Sequence, residues 1–259
     1  QISHHPPVTA WFCESPLWSS EGQQEVSLQL GLSGMKTLAK GAFRFQLKTT
    51  GETFKVIRPK GAVHNILFGK MYTWLTDSLQ VVNENTGEVA SVDFKPKSSS
   101  PEKDHMVSGH VKGPCGTTRY LLEGRWDQFL YAVNPSSGRR VELIKARPPP
   151  PDRRFAGYMN DFSVNLNNLT PSLCLKLPRT DSRLRPDLRA YEHGDIELAE
   201  EEKARVELAQ RQREARGQSV NPMWFELGGG KDGYAKFNGK YWECRASGNW
   251  PANLPDIFG

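Results

Sequence analysis

Two sets of residues in this chain could do chemistry. The first is the adjacent pair His4 and His5, which stands directly before Pro6 and Pro7. Imidazoles can ligate a metal, move a proton or donate to a phosphate. A metal site needs further ligands at suitable spacing, and none stands near the pair in sequence. Neighbouring residues of a strand point to opposite faces, so both rings could serve one ligand only where the two prolines bend the chain. The second set is Lys203, Glu207 and Arg211, spaced by four along a predicted helix, which stacks them on one face. Two readings stay open for that face. It is either a row of ion pairs, each worth ~0.2–0.5 kcal/mol, or a headgroup site with Arg and Lys on phosphate and Glu accepting from hydroxyls. If the histidines converge on the same point, the cluster suits a phosphorylated polyol.

Other chemistries find little support. There is no G-x-S-x-G elbow and no H-E-x-x-H helix. Gly228-Gly229-Gly230-Lys231 lacks phosphate-loop spacing and reads as a turn. His64, His105, His110 and His193 are scattered and suit surface or core roles. No enzyme is expected, and no catalytic residue, metal or cofactor is assigned.

The elements that must position these residues differ between the two ends. Up to about residue 147 the chain reads as short strands between turns: 8–15, 25–33, 42–48, 53–57, 63–67, 71–75, 79–84, 89–94, 106–111, 119–126 and 140–145. Phe43, Phe45 and Leu47 share one face of their strand. Gly87 and Gly138 close predicted turn sequences. Many strands with no helix between them predict a mainly β fold with α elements, an antiparallel sheet curling toward a barrel wide enough for a ligand. Phe43 and Phe45 would face its interior. Four prolines, Pro148 to Pro151, then make a stiff connector. The stretch 177–187 lacks strand periodicity and is expected to wrap a surface. A helix follows over 195–216, acidic early and basic late, with Asp195 as N-cap and Gly217 past its end. An aromatic, glycine-rich segment, 221–259, closes the chain. The whole is expected to be one domain over 1–259, with barrel strands in 1–147 and the helix and aromatic segment in 148–259.

The 259 residues carry a net charge of +5. That favours an anionic surface without choosing between lipid and nucleic acid. The basic residues of the helix are interleaved with acids, which argues against a nucleic-acid partner. Cys13, Cys115, Cys174 and Cys244 lie far apart, which suits free thiols in a reducing cytosol. Asn168-Leu169-Thr170 is read as a chance sequon. No apolar run approaches the ~20 residues that span a bilayer.

Several segments, in order, resemble one known family. Gln1 to Pro7, "QISHHPP", is similar to the EQVSHHPP fingerprint of the oxysterol-binding protein family, starting one residue late and with Ile2 where Val is usual. "VHNILFGK" from Val63, "LEGRWD" from Leu122 and "LPRTDSRLRPD" from Leu177 resemble further family segments. The ending "WPANLPDIF" resembles the family's W..CPDIF, with Leu254 in place of Cys. The resemblance implies an antiparallel barrel around an apolar lipid tunnel, with C-terminal helical segments. It implies a lipid-transfer domain that recognises phosphatidylinositol 4-phosphate and exchanges it for a sterol or phosphatidylserine. His4, His5 and Arg211 would read the 4-phosphate, with Lys203 and Glu207 on the headgroup. The family also implies a cytosolic protein, peripheral at anionic membranes and contact sites of the endoplasmic reticulum. In the family the fingerprint lies well inside the domain, behind a lid and early strands that this chain is expected to lack. The barrel is therefore expected to be incomplete, and a transport-deficient scaffold is the alternative reading.

If His4 and His5 contact phosphate directly, affinity for a phosphoinositide should rise as pH falls from about 8 toward 6, because a cationic imidazole strengthens the contact. A titration series showing flat affinity over that window would remove the histidines from the phosphate.

Overall fold

The computed structural model describes residues 1–4, 7–31, 34–147, 160–218, 222–228 and 235–258, with the backbone alone at Ser3, His4 and Ala39. The chain forms two compact units. One comprises Gln1–Arg147 with Phe225–Phe237, the other Pro148–Trp224 with Asn238–Gly259.

The first unit is an antiparallel sheet of fourteen strands. They are β1 (Ile2–His4), β2 (Pro7–Glu14), β3 (Trp18–Leu30), β4 (Gly34–Lys40), β5 (Phe43–Leu47), β6 (Thr53–Ile57), β7 (Lys60–His64), β8 (Tyr72–Thr76), β9 (Ser78–Asn83), β10 (Val89–Phe94), β11 (Met106–Lys112), β12 (Thr118–Arg125), β13 (Phe129–Val133) and β14 (Arg140–Lys145). The order is β14-β13-β12-β11-β10-β9-β6-β5-β3-β4-β7-β8, with β2 on the free side of β3 and β1 beyond it. Among the described residues no ladder joins β8 to β14. The expected mainly β, unclosed antiparallel sheet is what the chain forms.

Its curvature has a local cause. Three long strands each break once: β4 and β5 part at Gly41 and Ala42, β6 and β7 at Arg58 and Pro59, β8 and β9 at Asp77. The halves pair as two separate arms, β5-β6-β9 and β4-β7-β8. Between the arms the register slips by one residue: Gly34 lies opposite His64, whereas Phe43 lies opposite Val56. An extra residue on one strand of a pair is a bulge, and it bends the sheet. The breaks carry residue types that tolerate this. Pro59 has no N–H to give a ladder. Asp77 and Gly41 have φ of 66° and 121°, backbone that side chains other than Gly, Asn or Asp resist. A Cβ on Gly41 would stand 2.2 Å from the Gln23 carbonyl oxygen.

Beyond the bend, the β8 arm is tied back onto the sheet by side chains. Trp74 Nε1 donates to the Lys95 carbonyl at 2.9 Å. Its ring packs against His105 and Trp126 at 4.7 and 6.0 Å between centroids. A two-stranded ladder of β15 (Phe225–Glu226) and β16 (Lys236–Phe237) belongs to this unit as well. Phe237 stacks on Phe12 at 4.5 Å, and the Ala235 N–H donates to Gln23 Oε1 at 2.9 Å.

Several expected strands need correction. The one placed at 63–67 ends at His64, because Asn65 takes φ of 59° and turns the chain. The strand placed at 25–33 begins at Trp18 and stops at Leu30. Its polar start hides the alternation: Gly22 is small because large rings lie over it. A Cβ on Gly22 would fall 2.4 Å from Phe43 Cβ and 2.7 Å from Trp11 Cζ2. β1, β4 and β13 were not anticipated.

The second unit is helical: α1 (Asp161–Asn165), α2 (Pro171–Cys174), α3 (Pro186–Glu192), α4 (Ile196–Ala215) and α5 (Lys240–Ser247). The predicted long helix is α4. Asp195 caps it, its carboxylate accepting from the Leu198 N–H at 3.0 Å, and Gly217 follows its end with φ of 71°. The stretch expected to wrap a surface instead forms a short turn over Ser182–Leu184 and then enters α3, with Pro186 at its first turn. Among the described residues no helix is long and apolar enough to cross a membrane.

Gly41→Ala should lower stability by more than about 2 kcal/mol in urea unfolding, from the strained φ and the clash with Gln23 together. An unchanged midpoint would show that the bend does not depend on this glycine.

Candidate functional site

His4 ends β1. Among the described residues that strand pairs only with β2, Ile2 opposite Thr9 and His4 opposite Pro7, and the Ala10 N–H donates to the Gln1 carbonyl at 2.9 Å. His5 and Pro6 lie outside the described residues, as does the His4 side chain. β2 pairs in turn with β3, which sets Trp11 opposite Gly22. Gly22 lies opposite Phe43, and Phe43 opposite Val56. These residues, with Val81 and Ala90 further along, form one cross-strand row. Two residues along each strand, Phe45 continues the same face. Trp11 packs on Phe43 at 5.8 Å and Trp18 on Phe45 at 5.4 Å. The predicted pair Phe43 and Phe45 thus stands on the apolar face of the sheet, with their rings half-buried.

One polar group joins that face, and the strand reading passes over it because it sits just past Ile57. The Arg58 guanidinium lies over the rings of Trp11 and Phe43, 4.8 and 5.1 Å from their centroids. It also donates to Gln24 Oε1. Burial lowers its pKa from the ordinary arginine value. It is an exposed cation with one side of its guanidinium held against aromatic faces.

Lys203, Glu207 and Arg211 all lie on α4. The buried residues of that helix are Ala199 and Val206. At about 100° per residue, the Lys203–Glu207–Arg211 row is centred roughly a quarter-turn from that buried line. Glu207 reaches Arg211 at 3.5 Å, with Arg211 side chain 63% exposed. Among the described residues no ion pair reaches exposed Lys203. The opposite flank is occupied. Arg205 pairs with Glu202 at 2.7 Å and donates to the Phe258 carbonyl at 2.7 Å. Arg213 donates to the Ile257 carbonyl at 3.4 Å. One flank of the helix therefore holds the chain's last residues, and the other presents an acid between two bases.

A family model described as oxysterol-binding protein matches residues 1–246. The chain belongs to the oxysterol-binding protein family. Oxysterol-binding protein-related protein 1B of Arabidopsis thaliana is 34% identical over 270 residues, covering 100% of this chain and 53% of that protein. Oxysterol-binding protein homolog 3 of Saccharomyces cerevisiae is 31% identical, over 96% of this chain and 25% of that protein. The chain thus spans about half, or less, of these relatives. Among solved structures, the Osh3 ORD of Saccharomyces cerevisiae in complex with PI(4)P superposes with a TM-score of 0.82 at 28% identity, over 99% of this chain and 68% of that one. The Osh1 ORD in complex with ergosterol gives 0.82 at 28% identity, over 98% and 66%.

The segment "LPRTDSRLRPD" is a set of locked ion pairs. Asp181 takes Arg183 in a two-point contact, Nε and Nη2 each at 2.8 Å. Arg185 Nε reaches Asp187 at 2.7 Å, and Asp187 is buried. Burial pushes the Asp181 carboxyl up, but the Arg183 hydrogen bonds and charge outweigh it and hold the carboxyl below the usual range. The charge of Asp181 adds to burial in raising the Tyr241 phenol. Tyr241 in turn closes an aromatic trio with Trp224 and Trp250, at 5.4 and 5.5 Å. The motif is therefore the frame from which α3 and then α4 start.

A carboxyl whose pKa is lower in the folded chain than in the unfolded one stabilises above its unfolded value, about 3.9, and that contribution is lost as pH falls through the folded value. The melting temperature should therefore drop steeply below about pH 4, and more shallowly in Asp181→Asn, which is already destabilised at pH 7. Parallel curves for the two proteins would mean that Asp181 gains nothing from Arg183.

Proposed function

We propose that this chain is the greater part of a lipid-binding, lipid-transfer domain that recognises phosphatidylinositol 4-phosphate and exchanges it for a sterol or phosphatidylserine. The observation that carries the reading is the solvent-facing row Lys203–Glu207–Arg211 on a helix whose other arginines are already engaged. The solved relatives support it: one is a complex with PI(4)P, others with ergosterol and cholesterol.

In this reading Arg211 gives the phosphate a planar fork of donors, and Lys203 adds a point charge. Glu207, weakly paired with Arg211, both orients the guanidinium and accepts from inositol hydroxyls. His4 and His5 donate to the 4-phosphate. A phosphomonoester carries close to two negative charges, so several donors are needed to replace its water. The apolar row from Trp11 to Ala90 receives the acyl chains or the sterol. The domain works as a peripheral protein at cytosolic membrane surfaces, including contact sites of the endoplasmic reticulum, and needs no cofactor.

Extraction of phosphatidylinositol 4-phosphate from liposomes should be abolished in His4→Ala/His5→Ala while sterol binding is largely kept. Arg211→Ala should weaken it about ten- to a hundredfold. Unchanged extraction in these variants would sink the headgroup assignment.

A further inference from the structure

We propose that two neighbouring hairpin tips of the first unit form a surface that inserts into an anionic lipid bilayer. This deepens the reading just given, and rests on it for the premise that the domain works at membranes. The tips are the end of β3, as far as Gly31, and the turn between β7 and β8. They are neighbours because β3 pairs with β4 and β4 with β7 up to Gly34 opposite His64, so both lie at the same end of the sheet.

Both tips are apolar and bare. Leu28 and Leu30 are 61% and 80% exposed at the end of β3. In the second tip every residue from Asn65 to Met71 is exposed, with Leu67 at 67%, Phe68 at 86% and Met71 at 64%. Such a cluster is costly in water unless something receives it. The turn itself is built rather than loose: the Asn65 amide donates to the Lys70 carbonyl at 3.2 Å, and Gly69 takes φ of 86°. That holds Leu67 and Phe68 at the apex. Between the tips runs a shallow groove of about 300 Å³ lined by Leu30, Met35, Val63 and His64.

Charge selects the occupant. From Val26 to Thr76 the chain carries Lys36, Lys40, Arg44, Lys48, Lys55, Arg58, Lys60 and Lys70 against the single acid Glu52. That net of +7 exceeds the +5 of the entire chain, so the rest is slightly acidic. Several of these cations are neutralised in place: Arg44 by Glu84, Lys48 by Glu14 and Lys60 by Asp77. Among the described residues Lys36 and Lys70, the two beside the tips, have no ion-pair partner. Exposed leucine, phenylalanine and methionine at the apex with unpaired lysines just behind them match the layering of an anionic bilayer, acyl region inside and phosphates above. A second copy of the chain fits less well, because a symmetric contact would set these lysines against each other.

The test is co-sedimentation of the intact chain with phosphatidylcholine vesicles, with and without phosphatidylserine. Leu67→Asp/Phe68→Asp should lose about tenfold or more in vesicle affinity. Lys36→Glu/Lys70→Glu should lose only the part that depends on phosphatidylserine and on low salt. Binding of a water-soluble, short-chain phosphatidylinositol 4-phosphate should be unchanged in both, since it needs no bilayer. Unchanged vesicle affinity in Leu67→Asp/Phe68→Asp would overturn the proposal. So would a change in its sedimentation velocity or a lowered unfolding midpoint, which would show that protein covers the tips. If the unmodified chain ignores the short-chain lipid yet binds vesicles through its tips, the headgroup reading falls and the insertion surface stands.

Discussion

The structure depends on a line of broken strands. A sheet of fourteen strands with one apolar face cannot stay flat, because that face must leave water and the strands twist. Here the bend is concentrated at Gly41, at Arg58 and Pro59, and at Asp77, where three strands in a row each change direction. The consequence is two arms with different tasks. The β5-β6-β9 arm continues the apolar row of Trp11, Phe43, Val56 and Val81. The β4-β7-β8 arm turns Trp74 inward onto His105 and Trp126 while its far end carries the bare side chains of Leu67 and Phe68.

The same bend explains Arg58. A guanidinium on an apolar face would be a misplaced charge on a regular strand. At a break, its side chain can lie flat over Trp11 and Phe43 and still reach the Gln24 amide. The aromatic faces attract the cation while the residue stays exposed.

The second unit uses one helix for two purposes, separated by angle alone. Arg205 and Arg213 on one flank hold the carbonyls of Ile257 and Phe258. Lys203, Glu207 and Arg211 on the other face solvent. Ion pairs in the "LPRTDSRLRPD" frame lead into α3, Asp195 caps the start of α4, and the buried residues of α4 are few and small, Ala199 and Val206. Position here is set by directed polar contacts more than by packing.

Residue order and type were enough to determine the antiparallel class, the long helix with both its ends, and the spacing that stacks Lys203, Glu207 and Arg211. Each is a local property, set by alternation, by Asp195 and Gly217, and by the helical repeat. Phe43 and Phe45 were legible for the same reason. What tertiary structure decided is everything that depends on partners distant in sequence. The start of β3 at Trp18 is one case, because Gly22 makes sense only beneath Trp11 and Phe43. β1, β4 and β13 are others, since ladders recruit segments whose own pattern is weak. The return of Phe225–Phe237 to the sheet unit rests on Phe12 and Gln23, more than two hundred residues earlier. Which arginines of α4 are engaged, and which apolar residues stay bare, followed from which surfaces the folded chain had already used.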